Sequence, residues 1–213
     1  MIVIVDYGMG NLRSVQKGFA RAGFEAEITD DFRLIERADG VVLPGVGAFK
    51  DCYDGLVDRG LVGPVKDAAL SGRPFLGICV GLQLLFDESE EGIGSPGLSL
   101  IPGRVVRFAD AKDTGLKVPH MGWNRLTPTR DGNPLLRGLP ANPYAYFVHS
   151  YYAKPEDGSV VLATCEYGVK FAAMVGRGSL FATQFHPEKS QTDGLAILRA
   201  FGGLTTEKAA EPV

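Results

Sequence analysis

Cys79 stands in Gly77-Ile78-Cys79-Val80-Gly81, between an apolar run and a segment with helical periodicity. A thiol in that setting suits nucleophilic attack. A strand–nucleophile–helix turn puts its central residue on a strained backbone and lifts the side chain clear at the carboxyl end of the sheet. The neighbouring helix N-terminus adds partial positive charge, which favours thiolate. A thiol nucleophile needs a base, and the chain offers His120, His149 and His186. His186 lies in Gln184-Phe185-His186-Pro187-Glu188, directly after a strand-like run. Glu188 is placed to accept from the second ring nitrogen, which would fix the tautomer and stabilise imidazolium.

Each piece also has a plainer reading. Free cysteine is often simply buried, a histidine before proline often sits in a turn, and Glu188 could be a solvated acid. Together the three favour chemistry. Cys52 and Cys165 lack the strand–turn–helix setting and read as structural. Acyl transfer also needs backbone N–H groups aimed at an oxyanion. The amide after the nucleophile, that of Val80, is one candidate, and an amide of Gly45, Val46 or Gly47 is the other. Taken alone, Pro44-Gly45-Val46-Gly47 is equally a strand-ending turn. Asp6-Tyr7-Gly8-Met9-Gly10-Asn11 is no dinucleotide loop, because Arg13 stands where the last glycine of G-x-G-x-x-G belongs.

Alternating strand-like and helix-like segments must position these groups, which predicts an α/β fold. Residues 1–5 read as a buried strand, followed by a helix to about Ala22 with Asn11 as its cap. Further strands are predicted at 24–28, 40–43 and 74–78, with one helix at 65–70, opened by Pro64, and another that Leu82 to Phe86 opens. In the second half, 104–108, 146–149, 160–165, 171–175 and 180–184 are short strand-like runs expected to extend or flank the sheet with antiparallel pieces. A last helix is expected around 195–201. The expectation is one layered domain over residues 1–203, with a mostly parallel central sheet flanked by helices, and a flexible tail over 204–213.

Bulk properties narrow the classes of partner. The 213 residues carry a formal charge of −3 with no basic cluster, so a nucleic-acid footprint is not expected. No apolar run reaches the roughly 18 residues of a membrane span. The apolar N-terminus lacks a basic leader and runs into Asp6, which reads as a first strand rather than a signal peptide. Three scattered cysteines form neither a disulfide framework nor a zinc site, and they suit a reducing cytoplasm.

The PGVG strand end, Gly77-Ile78-Cys79-Val80-Gly81-Leu82-Gln83 and Phe185-His186-Pro187-Glu188 resemble, in order and spacing, the triad-type (class I) glutamine amidotransferases. A narrower resemblance is to the glutaminase subunits of imidazole glycerol phosphate synthase. It rests on the segments Asp6 to Leu12, Pro119 to Asn124, Tyr146 to Tyr151 and Gln184 to Ser190. The resemblance implies Cys79 as nucleophile, His186 as general base and then acid, and Glu188 as its orienter. It implies that Gln83 holds L-glutamine, with backbone contacts from Gly47, Ser150 and Tyr151. It also implies a cyclase partner with a (β/α)8 barrel in a heterodimer, and neither cofactor nor metal. Met121 and Trp123, in a loop-like stretch, are candidates for that contact, as are Met9 and Asn11, although core packing would serve Trp123 equally. His120 and His149 read as hydrogen-bonded structural histidines bordering the site. Gly45 and Gly47 allow the Val46 peptide to hold its N–H away until the loaded partner docks. Rival readings are an amidotransferase subunit with another acceptor, a self-sufficient γ-glutamyl hydrolase, and a silent binding subunit.

Overall fold

The computed structural model describes residues 1–92, 94–110, 112, 115–129 and 132–207, the side chain of Glu207 aside. The β-branched run Ile2-Val3-Ile4-Val5 forms β1 (Ile2–Val5), with every residue buried, as befits a parallel strand covered on both faces. Helix α1 (Leu12–Ala22) buries Val15, Gly18, Phe19 and Ala22, the spacing of a helix with one wall against a core. It ends where Gly23 takes a left-handed φ of 96°. Asn11 holds the cap position without a side-chain cap bond, and the residue borders the site. Next come β2 (Ala26–Thr29), α2 (Phe32–Arg37), β3 (Gly40–Gly45), α3 (Phe49–Asp58), α4 (Val62–Leu70) and β4 (Phe75–Cys79). Pro64 falls in the first turn of α4, where a missing N–H costs no intrahelical bond.

Helix α5 (Val80–Gln83) starts two residues before the expected opening at Leu82 and stops after a single turn. The carbonyls of Leu84, Leu85 and Phe86 are taken by amides of residues 98–101, so the chain leaves the helix at once. Beyond it lie β5 (Glu88–Ser89), β6 (Ser95–Pro96), β7 (Gly103–Arg107), β8 (His120–Arg125), β9 (Thr127–Pro128), β10 (Tyr144–His149) and β11 (Tyr151–Pro155). They are followed by β12 (Val161–Glu166), β13 (Lys170–Arg177), β14 (Leu180–Thr183) and α6 (Gln191–Glu207).

The central sheet has eight strands in the order β2-β1-β3-β4-β14-β13-β12-β9. The first five run parallel, the first four of them as expected; β13, β12 and β9 continue it antiparallel. One expected antiparallel piece does something else. Strand β14 lies parallel to β4, with Thr183 beside Ile78. This brings the segment after Thr183 to the same sheet end as Cys79. Strands β11-β7-β5-β6 form a second sheet, and β10 and β8 form a two-stranded ribbon, so the stretch around Met121 and Trp123 is a strand rather than a loop. Helix α6 continues past residue 203 through Glu207, with Thr205 buried against Gly40. Of the expected tail, residues 208–213 lie outside the described residues.

Candidate active site

Cys79 ends β4 with φ 57° and ψ −110°, a left-handed φ that costs a side-chain-bearing residue about 1–3 kcal/mol. The turn is held from both sides by close backbone approach. A Cβ at Gly81 would lie 1.9 Å from the Leu43 carbonyl oxygen, and one at Gly77 2.6 Å from that of Gly81. Only glycine fits either place. The same crossing sets β3 against the elbow, with Gly45 paired to Cys79, so the loop that follows flanks Cys79.

His186 enters from the end of β14, its backbone N–H donating to Tyr146 O at 3.1 Å and its carbonyl accepting from Ser190 Oγ at 2.7 Å. Nδ1 lies 2.8 Å from Glu188 Oε1, and the two side chains are only 3% and 1% exposed. A carboxylate oxygen accepts, so Nδ1 donates in either charge state of the ring, and the proton that charges it sits on Nε2. That nitrogen, like Glu188 Oε2, is buried with no hydrogen-bond partner. Burial opposes charging the ring, but attraction to negative charge on the Cys79 sulphur and on the Glu188 carboxylate outweighs it and holds His186 up at about 9. Imidazolium is therefore the comfortable form beside a thiolate.

Gln83 is buried rather than solvent-facing. Its Nε2 donates to Tyr151 O at 3.1 Å and to Gln184 Oε1 at 3.1 Å. Gln184 in turn points Nε2 at Cys79 Sγ, 3.8 Å away. A cavity of about 500 Å³ opens over Cys79 and His186, and Asn11, Val46, Gly47, Val80, Gln83, Ser150 and Tyr151 line it. The expected triad, loop and glutamine contacts are thus brought together. Met121 and Trp123 stand apart on the outer side of β8, 63% and 46% exposed, so Trp123 is not core. The side chain of Met9 approaches Gly47 and Gly55.

Several participants escaped sequence reasoning. Glu91 and Lys189 line the cavity with opposite charges. Gln184 presents its amide to the sulphur. Gly18 on α1 makes room for Glu188, since a Cβ there would lie 3.0 Å from Glu188 Cβ. A glycine inside an apolar helical stripe was the one signal available for it.

Residues 3–202 match the glutamine amidotransferase class-I family. The chain belongs to that family. The imidazole glycerol phosphate synthase subunit HisH of Syntrophotalea carbinolica (strain DSM 2380 / NBRC 103641 / GraBd1) is 58% identical over 207 residues, covering 96% of this chain and 100% of the relative. Its counterpart from Geobacter sulfurreducens (strain ATCC 51573 / DSM 12127 / PCA) is 53% identical, covering 94% and 97%. A solved structure described as a glutamine amidotransferase superposes with a TM-score of 0.74 at 22% identity, covering 97% of this chain and 100% of that one, a likeness of fold. This class-I amidotransferase therefore has the fold and the enzyme class that its motifs imply. Among the described residues no His, Cys, Asp and Glu group could hold a metal ion, and no helix is long and apolar enough to cross a membrane.

Proposed function

We propose that this amidotransferase is the glutaminase subunit of an imidazole glycerol phosphate synthase, working through Cys79, His186 and Glu188. The observation that carries the chemistry is His186, tied by Nδ1 to Glu188 at 2.8 Å and left with an unpartnered Nε2 in the cavity that Cys79 lines. Relatives bearing that subunit name match nearly end to end, which supports the choice of acceptor chemistry.

Sγ attacks the side-chain amide carbon of glutamine, and a tetrahedral oxyanion forms. The amide of Val80 and one from Gly45, Val46 or Gly47 stabilise it. His186, charged by the thiol proton, returns that proton to the departing nitrogen, and ammonia leaves with a glutamyl thioester behind. Water then enters, His186 takes its proton, and glutamate is released with the thiol restored. Opposite charges at Glu91 and Lys189 suit the α-ammonium and α-carboxylate of an amino acid, and Gln83, Gly47, Ser150 and Tyr151 complete the pocket.

Ammonia is a nucleophile only while unprotonated, so a synthase gains by moving it within a closed assembly. The partner is a cyclase with a (β/α)8 barrel, forming a heterodimer in the cytoplasm and using the ammonia to make imidazole glycerol phosphate and an aminoimidazole carboxamide ribotide. Met121 and Trp123 on the outer face of β8, with Met9 and Asn11 nearer the cavity, serve that contact. The Val46 peptide turns its N–H inward only when the loaded cyclase docks, so the free subunit is latent.

The test is glutamate release by the purified chain, alone and with the cyclase plus its nucleotide ligand, with Cys79→Ala as control. Strong stimulation that vanishes in the variant supports the assignment. Fast hydrolysis without partner or ligand overturns latency and favours a self-sufficient hydrolase.

A further inference from the structure

A hydrogen-bonded chain that no catalytic step uses borders the glutamine cavity. His149 and His120 oppose each other directly across β10 and β8, and both are buried. His149 Nδ1 lies 2.8 Å from the Tyr151 carbonyl oxygen, and its Nε2 lies 3.0 Å from His120 Nδ1. His120 Nε2 lies 3.2 Å from Asn124 Nδ2. Asn124 is itself pinned, since Nδ2 donates to Glu166 O at 3.0 Å and Oδ1 accepts from the Arg125 N–H at 2.8 Å.

The two ends fix the direction of every bond. A carbonyl oxygen only accepts, so His149 carries a proton on Nδ1, and its neutral Nε2 accepts from His120 Nδ1–H. From the far end, Glu166 O and the Arg125 N–H dictate the Asn124 amide, so His120 Nε2 must accept. Both directions give the same answer: two neutral rings, each protonated on Nδ1, with no place for another proton. Burial agrees, pushing His149 down to about 3 and His120 to about 4.

The inner end of the chain reaches the reacting groups. The Tyr151 oxygen also accepts from Gln83 Nε2, the other Gln83 N–H goes to Gln184 Oε1, and this leaves the Gln184 N–H facing Cys79 Sγ. We propose that His149, braced by His120 and Asn124, is a positioning residue for glutamine hydrolysis, anchoring the Tyr151 carbonyl that sets the amide polarity of Gln83 and Gln184. This rests on the glutaminase reading above. Without the brace, Tyr151 O loses one of its two side-chain donors, although Phe108 N–H still holds Ser150 O at 3.0 Å. The Gln83 amide is then free to turn, and a turned Gln184 would offer oxygen, not N–H, to the sulphur.

The test uses the chain bound to its cyclase with saturating nucleotide ligand. His149→Phe keeps a ring among Phe108, Phe147 and Phe171, whose centroids lie 5.2, 5.7 and 5.1 Å away, and deletes both nitrogens. His149→Asn restores an amide N–H near Tyr151 O. Losing one such bond is expected to raise the KM for glutamine about tenfold, with a smaller fall in kcat. The Asn variant should recover most of that loss although it packs worse. Nitrogen-15 spectra of the wild-type complex at neutral pH should show both rings neutral and protonated on Nδ1. An unchanged KM in the Phe variant, or an Nε2–H tautomer in either ring, overturns the proposal. Should the Phe variant fail to fold, the tautomers decide. A wild-type complex that releases no glutamate defeats the underlying glutaminase reading instead, while the spectra still report on the brace.

Discussion

Glu188 spends one carboxylate oxygen on His186 and leaves the other buried and unpartnered, an arrangement that is comfortable only beside positive charge. Glu188→Gln keeps the shape and removes the charge. It should lower kcat about a thousandfold, within the range for disabled acid–base partners, and bring the His186 pKa down from about 9. Steady-state rates and a histidine NMR titration would check both. Cys79→Ala should remove essentially all turnover, by a factor of about 10⁶. At this scale the sequence was informative wherever a role depends on near neighbours. The elbow glycines, Cys79, and the two-residue step from His186 to Glu188 are local patterns. Gln184, Glu91 and Gly18 act through partners remote in the chain, such as Cys79 and Glu188, and a buried glutamine carries no local mark of its purpose.

Elements were legible where one face is plainly apolar. Helix α1 is an example, and strand β1, apolar throughout, is as plain. Helix α2 is only six residues long, with Ile35 alone buried, too short for its period to show. Strand β8 was disguised by Pro119 and Gly122 and pairs with β10 alone, without a core on its outer side. The parallel placement of β14 arises because β4 offers an open edge, which no period within 180–184 encodes. Helix and elbow glycines make a sharp contrast. Gly81→Ala drives a methyl group to 1.9 Å from Leu43 O, so it should yield insoluble or inactive protein. Gly203, inside α6, has nothing within 4 Å of its missing Cβ and no left-handed φ. Gly203→Ala should therefore stabilise by about 0.5–1 kcal/mol, a rise in Tm of roughly 1–4 °C at this size, read by thermal melts.

For the whole molecule, the buried histidines bound stability from two sides. His120 and His149 are held neutral, at about 4 and about 3, against 6.5 in the unfolded chain. The unfolded state then binds more protons in acid, so stability is intact above 6.5 and falls as the pH drops below it toward those values. His186 is raised to about 9, so its contribution is complete below 6.5 and is lost as pH climbs through 9. Thermal melts across pH should therefore peak near pH 6.5 and decline on each side. The acid limb should flatten in the His149→Phe variant, and the alkaline limb in Glu188→Gln. A monotonic profile would contradict the protonation states assigned to all three rings.

The left-handed φ of 57° at Cys79 has a consequence for anyone breeding tougher forms of this enzyme. Replacing alanine by glycine usually weakens a fold, yet at this position the order should invert. Cys79→Gly relieves the crowding that Cys79→Ala retains, and should melt higher by about 1 kcal/mol of stability. A screen that rewards heat resistance alone would drift toward glycine at 79 and enrich sturdy, inert protein, so selection here has to score ammonia production and survival together.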